Sequence, residues 1–292
     1  MDVEVPGGVL AVQEYPGTSE PVLVVHGISS QRKLWLWLRR EAPDVRLLAP
    51  DLRGRADSFE VDGPFSMDRH ADDLTLVLDA AGLDGVHVCG MSMGAFVAVH
   101  LAARHPDRVT SLILVDGGLP VVPPPGLTRD NVAAGFADRL GRLEQPWPDL
   151  DRYLDYFAST TGVLLDRNDP LLREYLAHDL AADGKVRLSP TALLDDAADL
   201  FFEPNPFARI AVPVRLSHAQ WGAGPDAPPF YTEAEVAGWG ERLADVRYLP
   251  GHDHAGTIMT RTGAAATAEL IRRALAGHPR TANGNEAKDP RA

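Results

Sequence analysis

The fold of this chain is decided by one short stretch, Val86-His87-Val88-Cys89-Gly90-Met91-Ser92-Met93-Gly94-Ala95. Apolar residues before the glycines predict a strand, and the apolar run that continues to residue 103 predicts a helix. Ser92 lies between them, at the centre of the pattern G-x-S-x-G. A chain that reverses from strand to helix this quickly strains its central residue and leaves no room for side chains two positions before and after it. The stretch therefore predicts a nucleophile elbow that holds the Ser92 hydroxyl at the end of a sheet, with an ordinary glycine-rich turn as the alternative.

Composition limits the partners of the protein. The 292 residues include 28 basic and 41 acidic side chains, a net charge of −13. This acidic balance argues against nucleic acid and anionic membranes as partners. We recognise no signal peptide and no membrane-spanning stretch, so we expect a cytoplasmic protein. The single cysteine, Cys89, excludes an internal disulfide and is expected to be a buried apolar side chain. Oligomeric state is not predicted.

The order of predicted elements divides the chain. Strands alternate with helices over residues 1–119, and continuous apolar runs such as 22–25 are typical of strands covered on both faces. From 120 to 206 only helices are predicted, and the alternation resumes at 207–276. We therefore predict an α/β core of residues 1–119 and 207–276, a helical lid or cap of residues 120–206, and a disordered tail of residues 277–292.

Several motifs stand in one order along the chain. His26-Gly27 ends an early strand, the loop 51–58 follows the next strand, the G-x-S-x-G pattern comes third, and a late histidine follows the final strand. Over roughly residues 1–275 the chain resembles the α/β-hydrolase family, although Ala56 stands where that family usually has glycine. The resemblance implies a mostly parallel eight-stranded sheet flanked by helices, with an all-helical lid inserted after the sixth strand.

A serine nucleophile needs a base, because its hydroxyl is weakly nucleophilic at neutral pH. Histidine suits this role, since its ordinary pKa lies nearest neutrality. Among ten histidines, the position after the last strand favours His254, and His252 is the competitor. The pair also looks like part of a metal site, but a single H-x-H without further ligands is poor evidence. We expect neither a metal nor a cofactor.

The acid that orients the histidine has two candidates. No carboxylate falls in the register that most of the family uses after the seventh strand. Asp116, at the end of the sixth predicted strand, and Asp226, in a later loop, both keep the order Ser, Asp, His. We favour Asp116, with the alternative that it only caps the turn before Gly117. Asp253 ranks last.

The resemblance also implies where the oxyanion hole lies. Met93, directly after the nucleophile, supplies one backbone N–H, and Ile28 supplies the other. Arg53 and Asp57 are expected to brace their loop by ion pairing or hydrogen bonds. The aromatic residues of the lid are expected to include both its core and the pocket wall; they are Trp147, Tyr153, Tyr156, Phe157, Tyr175, Phe201 and Phe202.

These features predict a serine hydrolase that cleaves a carboxylic ester, thioester or lactone of a small hydrophobic substrate through an acyl-enzyme. Hydrolysis of a carbon–carbon bond in a diketone-like substrate would use the same residues, so motifs cannot separate the two. A binding protein that uses this fold without turnover is the third hypothesis. Labelling of Ser92 by a fluorophosphonate would discriminate an enzyme from such a shell.

Overall fold

Continuous apolar runs of Val, Leu and Ile form the strands of the sheet, because strands covered by helices on both faces need apolar side chains on both faces. The structure is a computed structural model that describes residues 1–144, 146–160 and 165–277. The tail predicted at 277–292 lies outside the described residues, apart from Gly277, which ends a helix.

The described strands form one sheet in the order β1-β2-β4-β3-β5-β6-β7-β8. Their bounds are β1 Asp2–Val5, β2 Gly8–Tyr15, β3 Pro21–Val25, β4 Arg46–Pro50, β5 Val86–Met91, β6 Val109–Val115, β7 Val214–Ala219 and β8 Leu243–Leu249. The pairs β1–β2 and β2–β4 are antiparallel, and the other neighbouring strands are parallel. The predicted fold, a mostly parallel eight-stranded sheet, is confirmed. Strand β5 lies inside the sheet between β3 and β6, and all its residues are buried.

The core helices cover the two faces of the sheet. They are α1 Leu36–Glu41, α2 Met67–Ala80, α3 Met93–Arg104, α9 Glu233–Gly238, α10 Gly256–Met259 and α11 Arg261–Gly277. Successive residues of a strand point to opposite faces. Val22 and Val24 accordingly pack in the cluster with α1 and α11, while Leu23 and Val25 pack in the cluster with α2 and α3. Two apolar layers therefore fix β5 and the residues that follow it.

Between β6 and β7 the described residues form helices joined by loops, with isolated β-bridges at Leu180–Val186 and Arg55–Leu188. The helices are α4 Val132–Gly135, α5 Ala137–Gly141, α6 Leu150–Thr160, α7 Pro170–Asp179 and α8 Pro190–Phe202. The side chains of Asp169 and Ser189 accept from the backbone N–H groups of Leu171 and Ala192, and a proline follows each cap, as the sequence predicts. None of the helices in the described ranges has the length and apolar character needed to cross a bilayer.

Aromatic contacts and a buried ion pair join this helical segment to the core. Tyr175 packs edge-on against Trp37, with ring centroids 6.0 Å apart. The Asp196 carboxylate, on α8, receives the Arg55 guanidinium at 2.6 Å and His70 Nε2 at 3.0 Å, and all three side chains are buried. Because each buried charge has a partner, the junction avoids the cost of an isolated ion.

Candidate active site

Ser92 occupies a strained position between β5 and α3, with φ 55° and ψ −123°. The two flanking glycines are required sterically. A Cβ at Gly90 would lie 2.2 Å from the Gly94 carbonyl oxygen, and a Cβ at Gly94 would lie 2.0 Å from the Val25 oxygen. This is the geometry of a nucleophile elbow, and the backbone strain is of the kind found at functional sites.

A third glycine that the sequence motif does not include also shapes the elbow. A Cβ at Gly117 would lie 2.3 Å from the Ser92 carbonyl oxygen. The Ser92 N–H donates to the carbonyl of Val115, the last residue of β6, at 2.9 Å. The loop after β6 is therefore packed directly against Ser92. The pair Gly117-Gly118 after an apolar strand was the sequence signal for this close approach.

Asp116 begins that loop and is fully buried, with a positive φ of 46°. Its Oδ2 accepts a hydrogen bond from His254 Nδ1 at 2.6 Å, and its Oδ1 accepts from the Ala219 N–H at 3.2 Å. The second bond comes from the end of β7, so it fixes the carboxylate's orientation toward the histidine. Asp116 thus contacts the imidazole directly and does more than cap a turn.

His254 lies between β8 and α10, and hydrogen bonds hold both its backbone N–H and its backbone carbonyl. Its N–H donates to the Gly222 carbonyl at 2.9 Å, and the Thr257 hydroxyl donates to its carbonyl at 2.7 Å. The Phe230 ring stacks on the imidazole, with centroids 5.7 Å apart and planes 29° apart. Sequence reasoning missed Phe230, because its contact depends on a loop that has no motif.

The competing residues have other partners. His252 Nε2 lies 2.7 Å from the Thr262 hydroxyl, and its Nδ1 lies 3.0 Å from the Pro250 oxygen. Asp253 is buried and accepts from the Gly256 N–H at 2.7 Å. Asp226 is exposed, and within the described ranges no hydrogen bond joins it to a histidine. The contacts therefore favour Asp116 and His254 over these three.

The loop that carries Ile28 is fixed from two sides. Arg55 donates to the Ile28 carbonyl from Nε at 3.2 Å and from Nη2 at 3.1 Å. His26 is fully buried, and its Nε2 accepts from the Leu52 N–H at 3.0 Å. Burial disfavours the charged imidazole and lowers the pKa of His26 from 6.5 to about 4. A neutral ring is consistent with Nε2 acting as an acceptor.

Burial by itself would raise the pKa of Asp196, but the charges of His70 and Arg55 outweigh it and hold the pKa below its ordinary value. The carboxylate that anchors Arg55 therefore stays ionised. Neither Arg55 nor Asp196 was assigned this role from the sequence, since the partners are 141 residues apart and only folding joins them.

Arg53 and Asp57 do brace their loop, but they do not pair with each other. Arg53 binds Asp73 at 2.7 Å, whereas Asp57 pairs with Arg32 and Arg187. Asp51, Asp57 and His178 lie close enough together to ligate a metal ion. However, Arg32 donates to both carboxylates and Arg187 to one of them, so two guanidinium groups already neutralise this cluster.

Two cavities adjoin Ser92. The larger, called here the outer cavity, has a volume of about 420 Å³, and the smaller, the inner cavity, about 80 Å³. Both are lined by Ile28, Ser92, Arg139 and His254. Met93 lines the outer one. The outer volume lies within the range of small-molecule sites, about 300–1,000 Å³.

The aromatic residues predicted for the lid divide between these cavities and the packing of the helices. Phe201 lines the outer cavity, while Phe157 and Tyr175 line the inner one. Trp147 packs against Tyr153 and Tyr156, with centroids 5.1 and 4.9 Å apart, and Phe202 lies against Phe201. Phe136 also lines the outer cavity. The resulting pocket is mainly apolar.

The sheet order, the elbow and the histidine after the last strand agree with one known architecture. A family model described as the alpha/beta hydrolase fold matches residues 20–146. An esterase from Thermogutta terrifontis superposes with a TM-score of 0.68 at 23% identity, over 94% of this chain and 98% of its own. The chain is an α/β-hydrolase-fold protein.

Two curated proteins resemble it over shorter stretches. Lipase LipV of Mycobacterium tuberculosis is 39% identical over 109 residues, which are 37% of this chain and 41% of the lipase. The 2-hydroxymuconate semialdehyde hydrolase of a Pseudomonas strain is 32% identical over 155 residues, 51% of this chain and 52% of that enzyme. The matches thus span about two fifths and about half of these relatives, whose names describe hydrolases.

Proposed function

We propose that the protein is a serine hydrolase that cleaves a carboxylic ester, or a thioester or lactone, through an acyl-enzyme. The observation that carries this proposal is the 2.6 Å hydrogen bond from His254 Nδ1 to Asp116, beside a cavity that Ser92 and His254 line together. In this arrangement His254 Nδ1 carries a proton, which leaves Nε2 free to act as the base. Residues 120–206 would serve as the cap over this cavity.

In the first half of the reaction, the Ser92 oxygen attacks the substrate carbonyl and its proton passes to His254 Nε2. The negative charge on the carbonyl oxygen is stabilised by the backbone N–H groups of Ile28 and Met93. Collapse of the tetrahedral intermediate breaks the bond to the leaving alcohol, which takes the proton from His254. The acyl group is then bound to Ser92.

In the second half, water attacks the acyl carbon and gives a proton to His254 Nε2. The bond to the Ser92 oxygen breaks, and that oxygen recovers the proton. Asp116 stabilises the imidazolium each time it forms, without taking its proton. The net reaction adds one water across the ester bond, and no cofactor is needed.

A second candidate is hydrolysis of a carbon–carbon bond. The likeness to 2-hydroxymuconate semialdehyde hydrolase, which extends over about half of each chain, favours it. The same serine, histidine and aspartate would be used. A panel of 4-nitrophenyl esters, thioesters, lactones and a diketone therefore decides between the two reactions by which substrate shows the highest kcat/KM.

Labelling by a fluorophosphonate tests the nucleophile directly. We expect wild-type protein to form one adduct and Ser92→Ala to form none, as read by intact-protein mass spectrometry. The buried Cys89 is not expected to compete, because burial raises the pKa of its thiol. Folded wild-type protein that forms no adduct and hydrolyses nothing in the panel would indicate a ligand-binding shell instead.

A further inference from the structure

One arginine of the segment between β6 and β7 lines the cavities beside Ser92. Arg139, on α5, lines both cavities together with Ser92 and His254. Some arginines of this segment pair with carboxylates, such as Arg167 with Asp155 and Arg173 with Asp151, whereas Arg142 donates to the Ser29 carbonyl instead. Arg139 has no such partner, since no carboxylate among the described residues lies within 4.0 Å of it. It is therefore a cation at the site without a counter-ion.

The surroundings of Arg139 favour a charge held in place for a ligand. Its guanidinium carbon lies 5.3 Å from the centre of the Phe136 ring, a cation–π distance that limits where the group points. The Arg139 residue is exposed to solvent, but partial desolvation of its guanidinium and the nearby Arg142 lower its pKa, while Asp138 opposes both. An arginine stays protonated despite such effects. The positive charge is thus maintained but only weakly compensated.

The lining of the outer cavity, within the described residues, supplies no carboxylate. Its polar lining residues are Ser92, Asn131, Arg139 and His254, and its remaining lining residues are apolar or glycine. No aspartate or glutamate is among the lining residues within the described ranges. The protein as a whole carries a formal charge of −13, whereas the described lining of the outer cavity holds a guanidinium and no carboxylate. An anionic group entering the cavity would meet one unpaired guanidinium and no opposing carboxylate.

We infer that Arg139 binds a carboxylate of the substrate, so that the preferred substrate carries a free carboxylate on the far side of an apolar spacer from the bond that is cleaved. A guanidinium can receive a carboxylate through two parallel N–H bonds, which fixes orientation as well as charge. The apolar lining would contact the spacer. This inference rests on the proposed reaction at Ser92, which places the scissile carbonyl in the same cavity that Arg139 lines.

Two matched esters test the inference. Mono-4-nitrophenyl adipate and 4-nitrophenyl hexanoate have the same chain length and differ only in a terminal carboxylate or methyl group. We expect wild-type protein to show the higher kcat/KM for the adipate ester. In Arg139→Gln the ratio of the two kcat/KM values should fall tenfold or more, because a charge-assisted hydrogen bond is lost. Arg139→Lys should keep part of the preference, and raised salt should weaken it in wild-type protein.

Arg173→Gln is the matched control, since it removes the same charge from an exposed ion pair away from the cavities and should leave the ratio unchanged. Binding is measured separately by calorimetry on Ser92→Ala, with monomethyl adipate and methyl hexanoate. Binding of the adipate ester that depends on Arg139, without turnover by wild-type protein, would support the carboxylate site and refute the hydrolase proposal. If both wild-type protein and Arg139→Gln hydrolyse the two esters with the same ratio of kcat/KM values, the carboxylate site is refuted while the hydrolase proposal stands. Absence of both binding and turnover would overturn the inference.

Discussion

Replacement of Asp116 by asparagine isolates the role of the carboxylate. Asparagine accepts the positive φ of 46° at this position, so the backbone should be retained. Its carbonyl can still accept from the Ala219 N–H, which turns the amide NH₂ toward His254. The amide then donates to Nδ1, which moves the imidazole proton to Nε2. In that tautomer His254 cannot accept the proton of Ser92.

The expected loss of kcat in Asp116→Asn is estimated from the distance between His254 and Asp116. Coulomb's law with an effective dielectric constant of about 20 gives about 6 kcal/mol for unit charges separated by the observed 2.6 Å. The His254 side chain is 25% exposed, so solvent reduces this value. A loss of about 10³- to 10⁴-fold in kcat corresponds to about 4–5.5 kcal/mol, and the aspartate-to-asparagine change in a known serine protease has an effect of about 10⁴-fold.

The assay is steady-state hydrolysis of a short 4-nitrophenyl ester by wild type, Asp116→Asn and Asp226→Asn. Circular dichroism and thermal midpoints verify that each variant is folded. Asp226→Asn is the matched control, because the same change at an exposed loop position should alter kcat by less than about twofold. A folded Asp116→Asn with near wild-type kcat, or a larger loss in Asp226→Asn, would refute the assignment of Asp116.

Two further predictions concern the Ile28 loop. Asp196→Asn breaks a buried ion pair and should lower the free energy of unfolding, measured in urea, by about 3–5 kcal/mol. We also expect a lower kcat, because Arg55 no longer holds the Ile28 carbonyl. The control Asp68→Asn, at an exposed ion pair, should lower the free energy of unfolding by less than about 1 kcal/mol. His26, whose pKa is about 4 when folded, binds its proton more readily in the unfolded chain. Neutral His26 therefore contributes about 3 kcal/mol to the free energy of unfolding. This contribution is fully present above pH 6.5 and is lost as the pH falls to about 4. In His26→Gln, the slope of the free energy of unfolding against pH should fall by the equivalent of about one proton between pH 4 and 6.5. An unchanged slope would contradict the explanation.

Local sequence determined the elbow, because the constraint acts within a few residues. The turn brings backbone atoms close to Gly90 and Gly94, on either side of Ser92. The apolar residues before the turn form the strand β5, and those after it form the helix α3. Sequence patterns also separated the α/β alternation from the helical segment between β6 and β7, and they placed the helix starts at Asp169 and Ser189, since N-caps act over one turn.

Only the tertiary structure brings the Asp116 carboxylate to the His254 imidazole, beside the cavity that Ser92 lines. Position after the predicted strands favoured Asp116 over Asp226 and His254 over His252, but Asp116 and His254 are 138 positions apart and only folding joins them. Arg139 carries no motif, and its place in the lining of the cavities beside Ser92 appears only in the folded chain. Side-chain identity fixes what a residue can do chemically, while packing of distant segments fixes which partner it finds.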